Sequence, residues 1–301
     1  MNKTNISCCD YTWNPVSGCS PVSEACEHCY ARRLAETRLR GRCGYPLLDP
    51  FAVTLHPERL DEPCRVAKPS RIFPVSMGDL MHPDVPTDFI HSVFNVMNIC
   101  SHHQFYVLTK RPDRLLEVIK PDPPVWYGLY CPLPNVWLGV TVESQAHVGR
   151  LDHLRTLAER GWRIFVSAEP LLSALDLAPY LQWGTVTEPV LGIEWVICGG
   201  ETGLGARPMH PDWVRSLRDQ CMAACVPFFF KSWGDWLPDD QVDRNNRLQW
   251  PGFTKARFGA LGADGSWTPG MWVSTLGMCM YRLGKKAASH LLDGTEWRQT
   301  P

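Results

Sequence analysis

The chain has 301 residues, 45% of them apolar and 20% charged, which is enough apolar material for a large core. This composition excludes a disordered chain, a coiled coil and a disulfide-stapled miniprotein. Thirty Lys and Arg against 31 Asp and Glu leave a net charge of -1, unlike a protein whose only task is to grip a phosphate backbone.

The amino terminus, MNKTNISCCD, lacks a basic segment followed by a long apolar run, so no secretory signal is expected. No stretch approaches the length of a membrane span. Eight β-branched and aromatic runs then follow in order: residues 10–15, 51–55, 71–76, 105–109, 135–142, 163–168, 194–200 and 226–231. Most are continuously apolar, the pattern of parallel strands covered on both faces. Amphipathic helices are expected between them. One carries Phe89, Ile90, Val93, Phe94 and Met97, and a second carries Val148, Leu151, Leu154 and Leu157. A third carries Trp213, Val214, Leu217 and Cys221, with Pro211 in its first turn. The alternation points to an α/β protein with a (β/α) TIM-type barrel of eight parallel strands, closed or partly open, with a doubly wound open sheet as the runner-up. Residues 121–134 and 179–192 read as loops. The chain divides into a barrel over 1–237 and a Trp- and Gly-rich extension over 238–301, expected to pack on it.

The sharpest local feature lies between the first strand and the helix after it. Cys19, Cys26 and Cys29 have the spacing Cys-x6-Cys-x2-Cys. Three thiolates on one loop can hold three irons of a 4Fe-4S cluster and leave the fourth open to a ligand. The same residues, completed by His28 or a distant donor, could instead form a structural zinc site. A third reading is three unrelated buried thiols. The odd total of 13 cysteines, scattered along a cytoplasmic chain, favours a metal or cofactor site over a disulfide framework.

Several segments, in order, resemble a known family: TWNPVSGCSPVSEACEHCYA, FAVTLHPERL, VLTKRPDRL, NVWLGVTVES, FVSAEPLL, GGETGLGARPMHPDWVRSLRDQC and PFFFKSWGDW. They are similar to the phage-associated gene product thirty-seven / gene product sixty-eight family. That family in turn resembles radical S-adenosylmethionine enzymes, through a three-cysteine loop after the first strand of a β/α barrel. The second resemblance implies a 4Fe-4S cluster on Cys19, Cys26 and Cys29, with S-adenosylmethionine cleaved reductively to a 5′-deoxyadenosyl radical. It also implies a reductant such as flavodoxin or ferredoxin. The common radical-enzyme spacing has three residues in the first gap where this chain has six. Gly199-Gly200-Glu201 is like the element that holds the methionine amino group in those enzymes, but it follows about the seventh strand rather than the second.

If strand ends converge on one face, as in barrel enzymes, nearly every strand delivers a polar group there. They include His56 and Glu58, Ser76 and Asp79, Thr109-Lys110-Arg111, Thr141 and Glu143, Ser167 and Glu169, Glu201, and Lys231 with Trp233 and Asp235. Lys110, Glu143, Glu169 and Lys231 are the candidate catalytic residues. Ser76, Asp79, Gly199, Gly200 and Glu201 are the candidate cofactor-binding residues. Lys110, Arg111 and Lys231 can donate to a carboxylate or phosphate, and Trp233, Trp236 and the Trp-rich tail can close the mouth. The helix after the cysteines carries Arg32, Arg33, Arg38, Arg40 and Arg42, a face that can meet a nucleic acid or present itself to solvent. The sequence does not name the substrate; a nucleobase or nucleic acid is preferred, and a peptide or small metabolite stays open. The alternative is a zinc-stapled binding module without chemistry.

Overall fold

A computed structural model describes residues 1–119, 131–185, 188–190, 192–242, 257–270 and 277–301. The protein is mixed α/β with a large, mostly parallel sheet. Its residues form two compact units. The first comprises Met1–Thr141, Gly149–Phe165 and Gly184–Gly192, and the second Val142–Val148, Val166–Trp183 and Ile193–Pro301.

In the first unit the strands are β1 (Asn2–Lys3), β2 (Tyr11–Trp13), β3 (Arg71–Pro74), β4 (Gln104–Thr109) and β5 (Val136–Thr141). The pairs β2–β3, β3–β4 and β4–β5 are parallel, with Tyr11 opposite Ile72, Ile72 opposite Phe105 and Phe105 opposite Val136. Every residue of β5 is buried, as its continuous apolar run requires. Gly139 within it admits no side chain, because a Cβ there would lie 2.4 Å from the Phe165 ring. Helices α2 (Thr87–Ile99), α3 (Pro112–Val118) and α4 (Arg150–Glu159) follow β3, β4 and β5, while the short α1 (Tyr30–Leu34) follows the cysteine loop. Ile90, Val93, Phe94 and Met97 of α2 are fully buried, each contributing about 1.5–3 kcal/mol. The buried Asn135 amide donates to the carbonyls of Met97 (3.0 Å) and His103 (3.1 Å), tying the end of α2 to the entry of β5.

Strand β6 (Arg163–Ala168) is shared between the units. In the second unit, β7 (Trp195–Gly199) and β8 (Phe228–Ser232) pair in parallel, with a register shift between Cys198 and Gly199. Between them lies α5 (Pro211–Ala223), with Trp213, Val214, Leu217 and Cys221 buried and the His210 ring accepting from the Asp212 amide. The same unit holds an antiparallel sheet of β9 (Trp236–Pro238), β10 (Arg257–Leu261), β11 (Trp267–Pro269) and β12 (Met278–Arg282), ordered β9-β12-β10-β11.

Three expectations change. No closed barrel forms among the described residues: β2 is flanked by β1, which is short and antiparallel, where a ring would need a parallel neighbour. The run at 51–55 supplies only Thr54–Leu55, paired antiparallel with Val16–Ser17 outside the large sheet. The supposed loop at 179–192 contains the end of a short helix, Ala178–Leu181, and the strands Trp183–Thr185 and Glu188–Val190. Local composition hid these because Pro and Gly at their edges read as loop punctuation. Most of the expected loop at 121–134, and Trp250 and Trp272, lie outside the described residues.

Candidate functional site

The cysteine loop is set by tight backbone contacts in the first unit. Gly18 has φ +86°, and a Cβ there would lie 2.1 Å from the Ala52 carbonyl oxygen, so only glycine fits. Its amide donates to the Met77 carbonyl at 2.9 Å, and the Cys19 amide donates to that of Phe51 at 3.2 Å. The turn after β3 supports it from the other side. Val75 sits at φ +56°, a conformation that costs a β-branched residue about 1–3 kcal/mol. It presents Ser76 and Met77 to the Asn14 side chain, whose Oδ1 accepts from Ser76 Oγ (3.2 Å) and the Met77 amide (3.0 Å). The Tyr30 hydroxyl donates to the Ser76 carbonyl.

Cys19, Cys26 and Cys29 are free, partly exposed thiols. Cys19 and Cys29 pack against one apolar cluster made by Ala31, Ala35, Tyr45 and Phe51. Arg111 addresses Cys19 directly: its Nη1 donates to the sulfur at 3.3 Å. The same nitrogen donates to Asp79 Oδ2 at 3.0 Å, and Nη2 donates to the Ser20 carbonyl (2.9 Å) and hydroxyl (3.0 Å). The Arg111 and Asp79 side chains are only 9% and 7% exposed. Asp79 is saturated: Oδ1 also accepts from Thr109 Oγ1 (2.7 Å) and the Met81 amide (3.0 Å), and Oδ2 from the Lys110 amide (3.2 Å). These contacts hold Asp79 against Arg111. Ser20 Oγ is bonded to His82 Nε2 at 2.8 Å. Burial, then Asp79, raises the Cys19 thiol above its ordinary range, with Arg111 pulling the other way. Burial, then Arg111, lowers His82.

Cys19, Cys26, Cys29 and the neighbouring His28 are the donors this loop offers to a metal centre. Among the described residues, no three donor atoms from Cys19, Cys26, Cys29 and His28 lie within 4.8 Å of one another. A tetrahedral zinc with bonds of about 2.3 Å requires ligand sulfurs about 3.8 Å apart. A cubane spreads its thiolates over separate irons, and a guanidinium hydrogen-bonded to one of them offsets part of the added negative charge.

The second unit brings together other candidates. Lys231 Nζ stands 2.7 Å from Glu169 Oε2, and a Cβ on Gly199 would meet that oxygen at 3.0 Å. Glu201 is bound by Arg207, whose Nη2 reaches Oε1 at 2.7 Å while its Nε and amide reach Oε2 at 2.8 Å. A Cβ on Gly200 would meet the Trp233 carbonyl oxygen at 2.2 Å, so this glycine serves a close approach within the protein. Glu143 is fully buried, with His147 Nε2 3.8 Å away. Trp233 and Trp236 are buried, their indoles donating to the carbonyls of Leu291 and Ala206. In the first unit His56 is buried, bonded through Nε2 to Ser17 Oγ at 2.8 Å. Arg32 lies over the Phe51 ring at 4.9 Å, whereas Arg33, Arg38, Arg40 and Arg42 are exposed. Sequence reasoning missed Ser20 and His82, and it had Arg111 as a generic anion donor. The only local signal was their place just after a cysteine and after strand ends.

Residues 3–301 match the model of a family described as a protein of unknown function, DUF5131. The chain belongs to that family. No curated protein matches it. Among solved structures it is similar to spore photoproduct lyase. A mutant of that enzyme has 12% identity and a TM-score of 0.47, the match covering 95% of this chain and 71% of the lyase. A mutant with bound AdoMet and dinucleoside spore photoproduct has 11% identity and a TM-score of 0.45, covering 94% and 70%. Among the described residues no helix is long and apolar enough to cross a membrane.

Proposed function

We propose that this protein is a radical S-adenosylmethionine-like enzyme, related to the phage-associated family above, in which Cys19, Cys26 and Cys29 hold a 4Fe-4S cluster. The observation that carries the reading is the buried Arg111, fixed by Asp79 and aimed at the sulfur of Cys19. A guanidinium hydrogen-bonded to the sulfur favours the thiolate form that ligation of a cluster iron requires. When bound, the cluster and S-adenosylmethionine supply one-electron cleavage of a sulfonium and hence a carbon radical. The chain's own share is positioning. Asp79 orients Arg111, Arg111 and Ser20 hold the loop, and the Ala31–Ala35–Tyr45–Phe51 cluster keeps water from one side of the thiols. In the second unit, Lys231 and Glu169 form an ion pair suited to binding polar groups of the substrate. The substrate class is a nucleobase or nucleic acid, the reductant a flavodoxin or ferredoxin, and the compartment the cytoplasm.

Anaerobic purification tests the reading. The expected product is a brown protein with about four irons and four sulfides per chain, forming 5′-deoxyadenosine from S-adenosylmethionine under dithionite. Replacing any one of the three cysteines by Ala should abolish both properties while the far-ultraviolet dichroism is kept. A colourless protein with stoichiometric zinc, unfolding on each replacement, would establish the structural site instead.

A further inference from the structure

The second unit contains a cavity of about 450 Å³ bounded by the antiparallel sheet and the Gly205–Ala206 turn, within the size range of small-molecule sites. Among the described residues its lining includes Trp236, Trp267, Phe258, Arg257 and Arg282, and no acidic residue. The strand register explains why this is unusual. Arg257 on β10 and Arg282 on β12 are direct cross-strand partners, and Trp236 on β9 is the partner of Arg282 on its other side. Directly opposed side chains share a sheet face, and like charges placed so repel each other. Arg282 is partly balanced by Asp235 at 3.4 Å and donates to the Gly203 carbonyl. Arg257 is exposed and makes no ion pair among the described residues.

The aromatic walls are held in place. Trp267 meets Trp236 edge-on with ring centroids 5.0 Å apart, and a Cβ on Gly259 would lie 2.5 Å from the Trp267 ring. Gly259 therefore lets the indole lie down on the sheet. The Arg282 guanidinium lies 6.0 Å from the centre of the Trp236 ring. Arg257 has no carboxylate partner among the described residues and Arg282 is only partly balanced by Asp235, so the pair can take an anion. Trp267, on the same sheet face by register, offers an apolar plane for a flat ring.

We propose that this cavity binds one nucleotide of a single-stranded nucleic acid, its base against Trp267 and its phosphate between Arg257 and Arg282. The anionic, aromatic ligand follows from the lining. Choosing a nucleic acid among such ligands rests on the substrate class in the proposed function. The site shares no residue with the cysteine loop and would give the protein a means of holding a strand.

Binding of a fluorescein-labelled ten-nucleotide single-stranded DNA and RNA to the metal-free full chain, followed by anisotropy, tests this without the cluster. Trp267→Ala should weaken binding by about 5- to 150-fold, the range for loss of one base stack, and Trp267→Phe should retain most of it. Arg257→Ala should weaken binding and lower the slope of log affinity against log salt by about 0.7, one phosphate contact on a single strand. Thermal midpoints establish folding. If Trp267→Ala does not fold, Trp267→Phe and the Arg257→Ala salt slope decide. Unchanged affinity and slope in Arg257→Ala, or no strand binding by wild type at low salt, overturns the proposal. Adenosine monophosphate competing as tightly as the oligonucleotide overturns the assignment to a polymer. Iron content of Arg257→Ala purified anaerobically should equal that of wild type. Cluster failure with strand binding intact, or the reverse, therefore separates the two readings.

Discussion

Arg111 in the first unit and Arg215 in the second use the same side chain in opposite ways. Arg215 reaches three carboxylates, Asp212 at 3.0 Å, Asp240 at 2.5 Å and Asp293 at 2.7 Å, so its charge is spent on joining α5 to two neighbouring turns. Arg111 has one carboxylate, Asp79, and turns its remaining donors on Cys19 and Ser20. An arginine surrounded by acids is a staple. One that is buried with a single acid keeps donors for a sulfur and a hydroxyl.

That contrast can be broken by substitution. Arg111→Met leaves Asp79 charged and buried without its partner, so it should cost about 3–5 kcal/mol in denaturant unfolding and reduce iron incorporation. Arg111→Lys should recover part of the stability but less of the iron, because an ammonium cannot reproduce the guanidinium's fixed fork. Equal loss of stability from Arg111→Met and Arg215→Met would erase the distinction.

The next effect is on the loop itself. Gly18→Ala combines a left-handed backbone cost of about 1–2 kcal/mol with overpacking of about 1–3 kcal/mol against the Ala52 carbonyl. The thermal midpoint should fall, and anaerobic iron content with it, although no thiol has been touched.

Arg215→Met should cost less, about 1–2 kcal/mol, because its partners are partly exposed and each such pair contributes little. Raising the salt concentration should shrink the difference from wild type.

The smallest effect is one of pH. The hydrogen bond from Arg215 pulls the Asp293 carboxyl down to about 2, against some burial that raises it. A carboxyl lowered by folding stabilises the protein fully above its ordinary value of 3.8, and this contribution disappears as pH falls through about 2. Unfolding midpoints measured between pH 5 and pH 2 should therefore converge for wild type and Arg215→Met at the acid end. A constant gap across that range would show that the Asp293 pair contributes nothing to it.

Much of the sheet was legible in the sequence. The runs at 105–109, 135–142 and 163–168 became β4, β5 and β6, because strands covered on both faces need unbroken apolar composition. The helical spacing of Ile90, Val93, Phe94 and Met97 marked α2 for the same reason. The failure at 51–55 is instructive: Phe51 is buried against Ala31 and Ala35 beneath the cysteine loop, so its apolar character reports packing and not strand pairing. In the site, the thiols stood out through their spacing, whereas the Gly18–Ala52 approach and the Val75 turn had no local signature.

The sequence alone determined the residue types available: three thiols on one loop after a strand, polar groups after most strands, and enough apolar material in strand and helix periods to build a mixed α/β core. Those properties depend on neighbours within a few positions. Tertiary structure decided which charges meet. Asp79 and Arg111 are 32 positions apart and Arg111 and Cys19 are 92 apart, and Arg257 faces Arg282 only because of strand register. Tertiary structure also committed Glu201 to Arg207 rather than leaving it free. Coulombic and hydrogen-bond partners are chosen by distance in space, and the spacing of residues along a chain does not encode that distance once the chain has turned back on itself.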